Sequence, residues 1–227
     1  MKRSNLIWAL LVSAFFYACQ TQPELVWSDE FEGTSLDTAK WTVYVGDGCP
    51  QLCGFGNNEK QFYTDRSENV KIQDGKIVIT ALADSFKTKP FSSAKLITKG
   101  KGGWTYGRIE IMARIPSGRG NWPALWMLPE SNTYGGWPKS GEIDIMEHVG
   151  YDQGTLWGTI HTQSFNHMKG TEKNKAIQVA DISDEFHLYA IEWREDRIDW
   201  FLDDVKYHSF VNSGKGTNDW PFDQSFI

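Results

Sequence analysis

Apolar residues recur at every second position along this chain, in short runs set off by Gly, Pro, Asn and Asp. Residues 76–81 put Ile77, Ile79 and Ala81 on one face of an extended segment. Residues 105–115 alternate more sharply. Ile109, Ile111, Ala113 and Ile115 point one way, and Tyr106, Arg108, Glu110, Met112 and Arg114 the other. Residues 186–193 and 197–202 read as two further strands. Asp203-Asp204 reads as a hairpin turn into residues 205–210, because Asp tolerates the positive φ that such turns ask for. Trp41, Trp193 and Trp200 lie in otherwise apolar strands and are assigned to the core. No window keeps a helical period for more than a turn or two. The spacing predicts an all-β sandwich with one face of each strand buried.

The first residues break this pattern. Lys2 and Arg3 precede an apolar run from Leu6 to Cys19 interrupted only by Ser13. The run is shorter than the roughly 20 residues of a spanning helix, and its front is basic, so it reads as a secretory signal at 1–18. Its end, Phe16-Tyr17-Ala18-Cys19, resembles a bacterial lipobox, with Cys19 as the lipid-modified first mature residue. A short tether at 19–25 then leads into one domain at 26–227, free of linkers and repeats. The other two cysteines, Cys49 and Cys53, flank three residues in a Gly-rich loop. An oxidising compartment favours a loop-bracing disulfide there, with a free thiol pair as the alternative.

Charge and composition narrow the function. The 227 residues carry 23 Lys plus Arg against 29 Asp plus Glu, a net charge of −6. An acidic chain lacks the basic face that phosphate binding needs, which excludes a nucleic-acid partner. The eleven tryptophans exceed what one core uses, and broad π faces left at a surface suit ring-shaped ligands.

The chemistry concentrates in Gly120-Asn-Trp-Pro-Ala-Leu-Trp-Met-Leu-Pro129 and, after a loop, Trp137-Pro-Lys-Ser-Gly-Glu-Ile-Asp-Ile-Met-Glu-His-Val-Gly150. In a strand, Glu142 and Asp144 share a face and Glu147 has the wrong parity. A β-bulge at Ile145-Met146 returns Glu147 to the acidic face. Three carboxylates so close do not ionise independently, and one is expected to hold a proton near neutral pH. A carboxylate and a carboxylic acid about 5 to 5.5 Å apart are what a retaining glycosidase requires.

Gly141-Glu-Ile-Asp-Ile-Met-Glu-His148 resembles the catalytic signature of glycoside hydrolase family 16, in its laminarinase branch. Val26-Trp-Ser-Asp-Glu-Phe-Glu-Gly33, Gly56-Asn-Asn-Glu-Lys-Gln-Phe-Tyr-Thr64, Tyr106-Gly-Arg-Ile-Glu110 and Trp157-Gly-Thr-Ile-His161 resemble other segments of that family in the same order. The resemblance implies a β-jelly roll of two curved antiparallel sheets with a concave cleft, and an endo-acting, retaining hydrolase of β-1,3-glucan. Agarases, porphyranases and carrageenases share the bulged motif, and mixed-linkage glucanases share the family. A non-catalytic glucan-binding domain on the same scaffold would have lost one or both glutamates, and both are present here.

By resemblance Glu142 is the nucleophile, Glu147 the acid/base and Asp144 the residue between them that separates their pKa values. Trp122, Trp126 and Trp137 would stack on sugar rings, and His161 would line the cleft. Asn58 and Arg108 are candidate hydroxyl binders, although Arg108 could equally pair with acids on its own sheet. His148, His167, His187 and His208 show no ligand spacing and are given no role. The resemblance implies no catalytic cofactor; a structural calcium would take Glu32 as its side-chain ligand, with backbone oxygens around it. It also implies that family members continue past Ile227, so the chain is expected to be C-terminally truncated, leaving a sheet edge unpaired. Monomer is the default oligomeric state, and the polysaccharide is the expected partner.

Overall fold

The computed structural model describes residues 24–227. The predicted leader at 1–18 and Cys19 lie outside them. Six three-residue strands come first: β1 (Thr42–Tyr44), β2 (Gln61–Tyr63), β3 (Val70–Ile72), β4 (Ile77–Ile79), β5 (Phe91–Ser93) and β6 (Lys95–Ile97). They pair as β1 with β6, β2 with β5 and β3 with β4. Longer strands follow: β7 (Gly107–Ala113), β8 (Ala124–Met127), β9 (Glu142–Glu147), β10 (Thr155–His161), β11 (Lys173–Gln178), β12 (His187–Trp193), β13 (Arg197–Leu202) and β14 (Val205–Val211). These make two four-stranded antiparallel sheets, ordered β11-β10-β9-β8 and β14-β13-β12-β7. The only helical segments among the described residues are 3-10 turns at Cys53–Gly56 and His167–Lys169.

Alternation explains why the two sheets face each other. Ile143, Ile145, Met146, Leu156 and Ile160 of the first sheet are buried against Tyr189, Ile191, Trp193, Ile198 and Trp200 of the second. Truncating one such aromatic removes on the order of 3–5 kcal/mol of stability. The hairpin forms where expected: Asp203 and Asp204 have φ of 48° and 63°, the paired positive values of a turn that matches strand twist. Trp193 and Trp200 are core residues, as their strands imply.

Three expectations are corrected. Ile79 is 50% exposed and Ala81 is exposed, because β4 pairs only with β3 in a two-stranded ribbon that no second layer seals. Tyr106 does not share the outer face of Arg108. With φ of 69° at Tyr106 and 123° at Gly107, the chain turns just before β7, and the Tyr106 ring packs edge-on against Trp193 at 5.4 Å. Trp41 is outside the central core. It forms a satellite cluster with Trp27 and Phe31, and its indole Nε1 donates to Asp29 Oδ2 at 2.8 Å.

Candidate active site

The bulge predicted at Ile145-Met146 is present. On β10, Trp157 stands opposite Glu147, Thr159 opposite Asp144 and His161 opposite Glu142. Three residues of β9 therefore span the distance that two residues span on β10, and the surplus lies between Asp144 and Glu147. The β8 side repeats the slip, with Ala124 opposite Glu147 and Trp126 opposite Asp144. Ile145 and Met146 both turn inward, at 2% and 1% exposure, which brings Glu147 back to the face of Glu142 and Asp144. Trp157, Thr159 and His161 share that face by register.

Each glutamate receives an indole N–H. Trp137 Nε1 donates to Glu142 Oε2, and Trp122 Nε1 donates to Glu147 Oε1 at 3.1 Å. Both indoles keep open surface, Trp122 at 50% and Trp137 at 39%. An amphipathic ring that anchors a carboxylate by its N–H and leaves a π face in solvent suits a sugar ring stacked beside the acid. Asp144 is buried between them. His161 Nε2 stands 3.4 Å from Asp144 Oδ2, and neither that oxygen nor His161 Nδ1 has a hydrogen-bond partner in the protein.

Burial raises the pKa of all three acids, since a low dielectric disfavours the charged form. Glu142 is pushed up to about 8, first by burial and then by Asp144, against the opposing effects of His161 and the Trp137 N–H. Asp144 is raised well above the usual carboxylate range by burial and by Glu147. Glu147 is raised by burial, and the Trp122 N–H, His161, Thr159 and His167 oppose the rise. Burial, ahead of the mutual repulsion of the acids, thus favours the protonated forms along the strip.

A second wall, built from β1, β6 and the turn at Cys53–Gly56, was not legible in the sequence. Lys95 Nζ lies 4.4 Å from the Trp126 ring centroid, 5.1 Å from Phe55 and 5.7 Å from Tyr44. Burial lowers the Lys95 pKa, while Glu59 and Glu142 oppose that effect, so its charge faces the acidic strip. Phe55 is carried by the turn at Cys53–Gly56, and Cys49 and Cys53 are joined by the expected disulfide. Asn58 stands exposed in the same loop with φ of 57°. No periodicity marks these residues, because their meeting depends on how segments far apart in the chain pack together. His167 was also missed. Its ring packs at 5.1 Å from Trp137 and 5.2 Å from His161.

Arg108 takes the second of its two readings. It lies on β7 in the other sheet, where it pairs with Glu110 at 2.5 Å, Glu192 at 3.2 Å and Asp204 at 2.5 Å. Its neighbours Ile109 and Ile111 turn to the core, so Arg108 faces outward and is not a hydroxyl binder in the acidic cleft. Glu32 is exposed, and among the described residues no three His, Cys, Asp or Glu side chains converge as metal ligands.

Residues 56–227 match the family described as glycosyl hydrolases family 16. A beta-glucanase of Rhodothermus marinus is 47% identical over 212 residues, covering 89% of this chain and 72% of the relative. A glucan endo-1,3-beta-glucosidase of Cryptopygus antarcticus is 38% identical, covering 89% of this chain and 77% of the relative. The solved laminarinase of Rhodothermus marinus superposes with a TM-score of 0.85 at 48% identity, covering 89% of this chain and 82% of that one.

Proposed function

The chain belongs to glycosyl hydrolases family 16, and from that premise we propose that it is a retaining endo-hydrolase of β-1,3-glucan of the laminarin type. The observation that carries this reading is the acidic strip: three carboxylates on one face of β9, Asp144 buried and the two glutamates half-buried, each glutamate held by an exposed tryptophan.

In the proposed mechanism Glu142 attacks the anomeric carbon while Glu147 gives its proton to the departing glycosidic oxygen. The C–O bond breaks and a covalent glycosyl-enzyme forms. Glu147, now a carboxylate, takes a proton from water, whose oxygen displaces Glu142 from the same carbon. Two displacements restore the original configuration. Glu142 must be ionised to attack, although burial raises its pKa. Burial is the larger cause, and Asp144 governs the second. When Asp144 holds a proton, its charge no longer pushes Glu142 upward, and the Trp137 N–H and His161 favour the Glu142 carboxylate. Trp122, Trp126 and Trp137 would carry sugar rings on either side of the cut.

The test is release of reducing ends from laminarin, agarose and carrageenan, with NMR of the first anomer formed. The expected outcome is release from laminarin alone, with β product first; cleavage of agarose or carrageenan instead would sink the substrate assignment. Glu142→Gln is expected to lose at least about 10³-fold in kcat. Unchanged turnover would remove Glu142 as nucleophile and favour a binding domain. We also propose export of the chain with lipid anchoring at Cys19. Cys19→Ser expressed in a Gram-negative host should leave the membrane fraction, and unaltered membrane association would contradict the anchor.

A further inference from the structure

His167 is unused by the mechanism above, yet the fold takes trouble to deliver it. It opens the 3-10 turn at His167–Lys169, in a loop that its own side chains close. Asn166, 2% exposed, donates from Nδ2 to the carbonyl of Thr162 at 2.9 Å. Thr171 Oγ1 donates to the carbonyl of Ser164 at 2.9 Å, and Thr162 N donates to the carbonyl of Phe165 at 2.6 Å. The loop is therefore a built object, and the ring it presents has a fixed place.

That place is against Trp137. The two rings lie 5.1 Å apart, tilted by 34°, close to an offset stack. His161 approaches both, at 5.9 Å from Trp137 and 5.2 Å from His167. Trp137 is a half-exposed ring on a loop, and its indole N–H has one acceptor, Glu142. A ring with so much open surface needs backing if its N–H is to stay aimed. We propose that His167 is a positioning residue: it braces Trp137 and thereby holds the indole N–H on the Glu142 carboxylate. One face of Trp137 is then committed to the brace, and the other remains for sugar.

The consequence is a displaced acid limb. The indole N–H favours the charged form of Glu142, so loosening it raises the pH at which Glu142 ionises. Asp144, Glu147, His161 and Lys95 also act on Glu142, and His167 itself opposes the rise of the Glu147 pKa and packs 5.2 Å from His161, so two variants that both remove the imidazole, one keeping an aromatic ring and one not, are compared.

This inference rests on the proposed nucleophile, so the two are tested together. Kinetics on laminarin across pH 4 to 10 would compare the unaltered enzyme with Glu142→Gln, His167→Ala, His167→Phe and His167→Gln, with thermal unfolding of each. His167→Ala is expected to fold normally, to move the acid limb of kcat/KM up by about half a pH unit or more, and so to lose about threefold or more in kcat on the acid side of that limb with a smaller change in KM. His167→Phe keeps the ring and is expected to restore the limb, whereas His167→Gln is not. An unmoved limb in His167→Ala, with Glu142→Gln inactive, overturns the brace alone. An active Glu142→Gln overturns the nucleophile assignment instead. If His167→Ala unfolds, the comparison of His167→Phe with His167→Gln decides, and equal limbs in those two overturn the proposal.

Discussion

Glu142 is where chemistry and stability pull against each other. Burial raises its pKa from 4.5 to about 8. An unfolded chain loses this proton near pH 4.5, while the folded chain keeps it until about pH 8. The folded state thus binds more protons across that window, and the stability contributed by this group falls as pH rises through it. Below about pH 4.5 the group is neutral in both states and has no effect. Glu142→Gln is therefore expected to melt higher than the unaltered protein at pH 8 and at the same temperature at pH 4. A tenfold change in proton affinity corresponds to about 1.4 kcal/mol, and each kcal/mol moves Tm by about 2–4 °C in a chain of this size, so the gain should reach at least a few degrees. Scanning calorimetry at the two pH values checks it, and an equal or lower Tm at pH 8 would show that the site is not strained by its charge.

At the scale of the element, the bulge in β9 is the device that matters. A regular strand would bury one of two adjacent residues and expose the other. Here Ile145 and Met146 are both buried, and Glu147 gains its place beside Asp144 as a result. Ile145→Ala and Met146→Ala are both expected to lose about 2–5 kcal/mol in urea unfolding. A surface-like response of either residue would argue against the bulge. This element was readable in advance, because Ile143, Ile145 and Met146 are apolar and the three acids are not. Parity alone then requires one surplus residue. The face of Ile77, Ile79 and Ala81 was misread for a related reason. Period two tells which residues share a face, and it does not tell whether anything covers that face.

The whole molecule holds the strip by pressing one sheet on the other. Trp200 of β13 donates its indole N–H to the Asp144 carbonyl at 2.8 Å, tying the second sheet to the acidic strand. Gly158 of β10 leaves room for that ring: a Cβ there would meet Trp200 Cδ1 and Tyr207 Oη at 2.7 Å each. Gly158→Ala should drive the sheets apart at this point, with a loss of about 1–3 kcal/mol and a fall in kcat larger than the change in KM. Urea unfolding and laminarin kinetics measure the two effects. Wild-type values for both would mean that the contact between sheets does not position the acids.

The chain's own order of residues determined whatever depends on neighbours a few positions apart. That includes the alternating strands, the Asp203-Asp204 turn, the inward Trp193 and Trp200, and the bulged acidic triplet with tryptophans on its flanks. Backbone geometry makes those patterns local. The tertiary structure alone decided which distant groups reach the strip and which do not. Lys95, Phe55 and Tyr44 converge on Trp126, and His167 arrives behind Trp137, while Arg108 is spent on Glu110, Glu192 and Asp204. The raised pKa values belong to the same category. A carboxylate's charge is written in the sequence, but how far that charge is disfavoured depends on how completely the fold shuts it away from water.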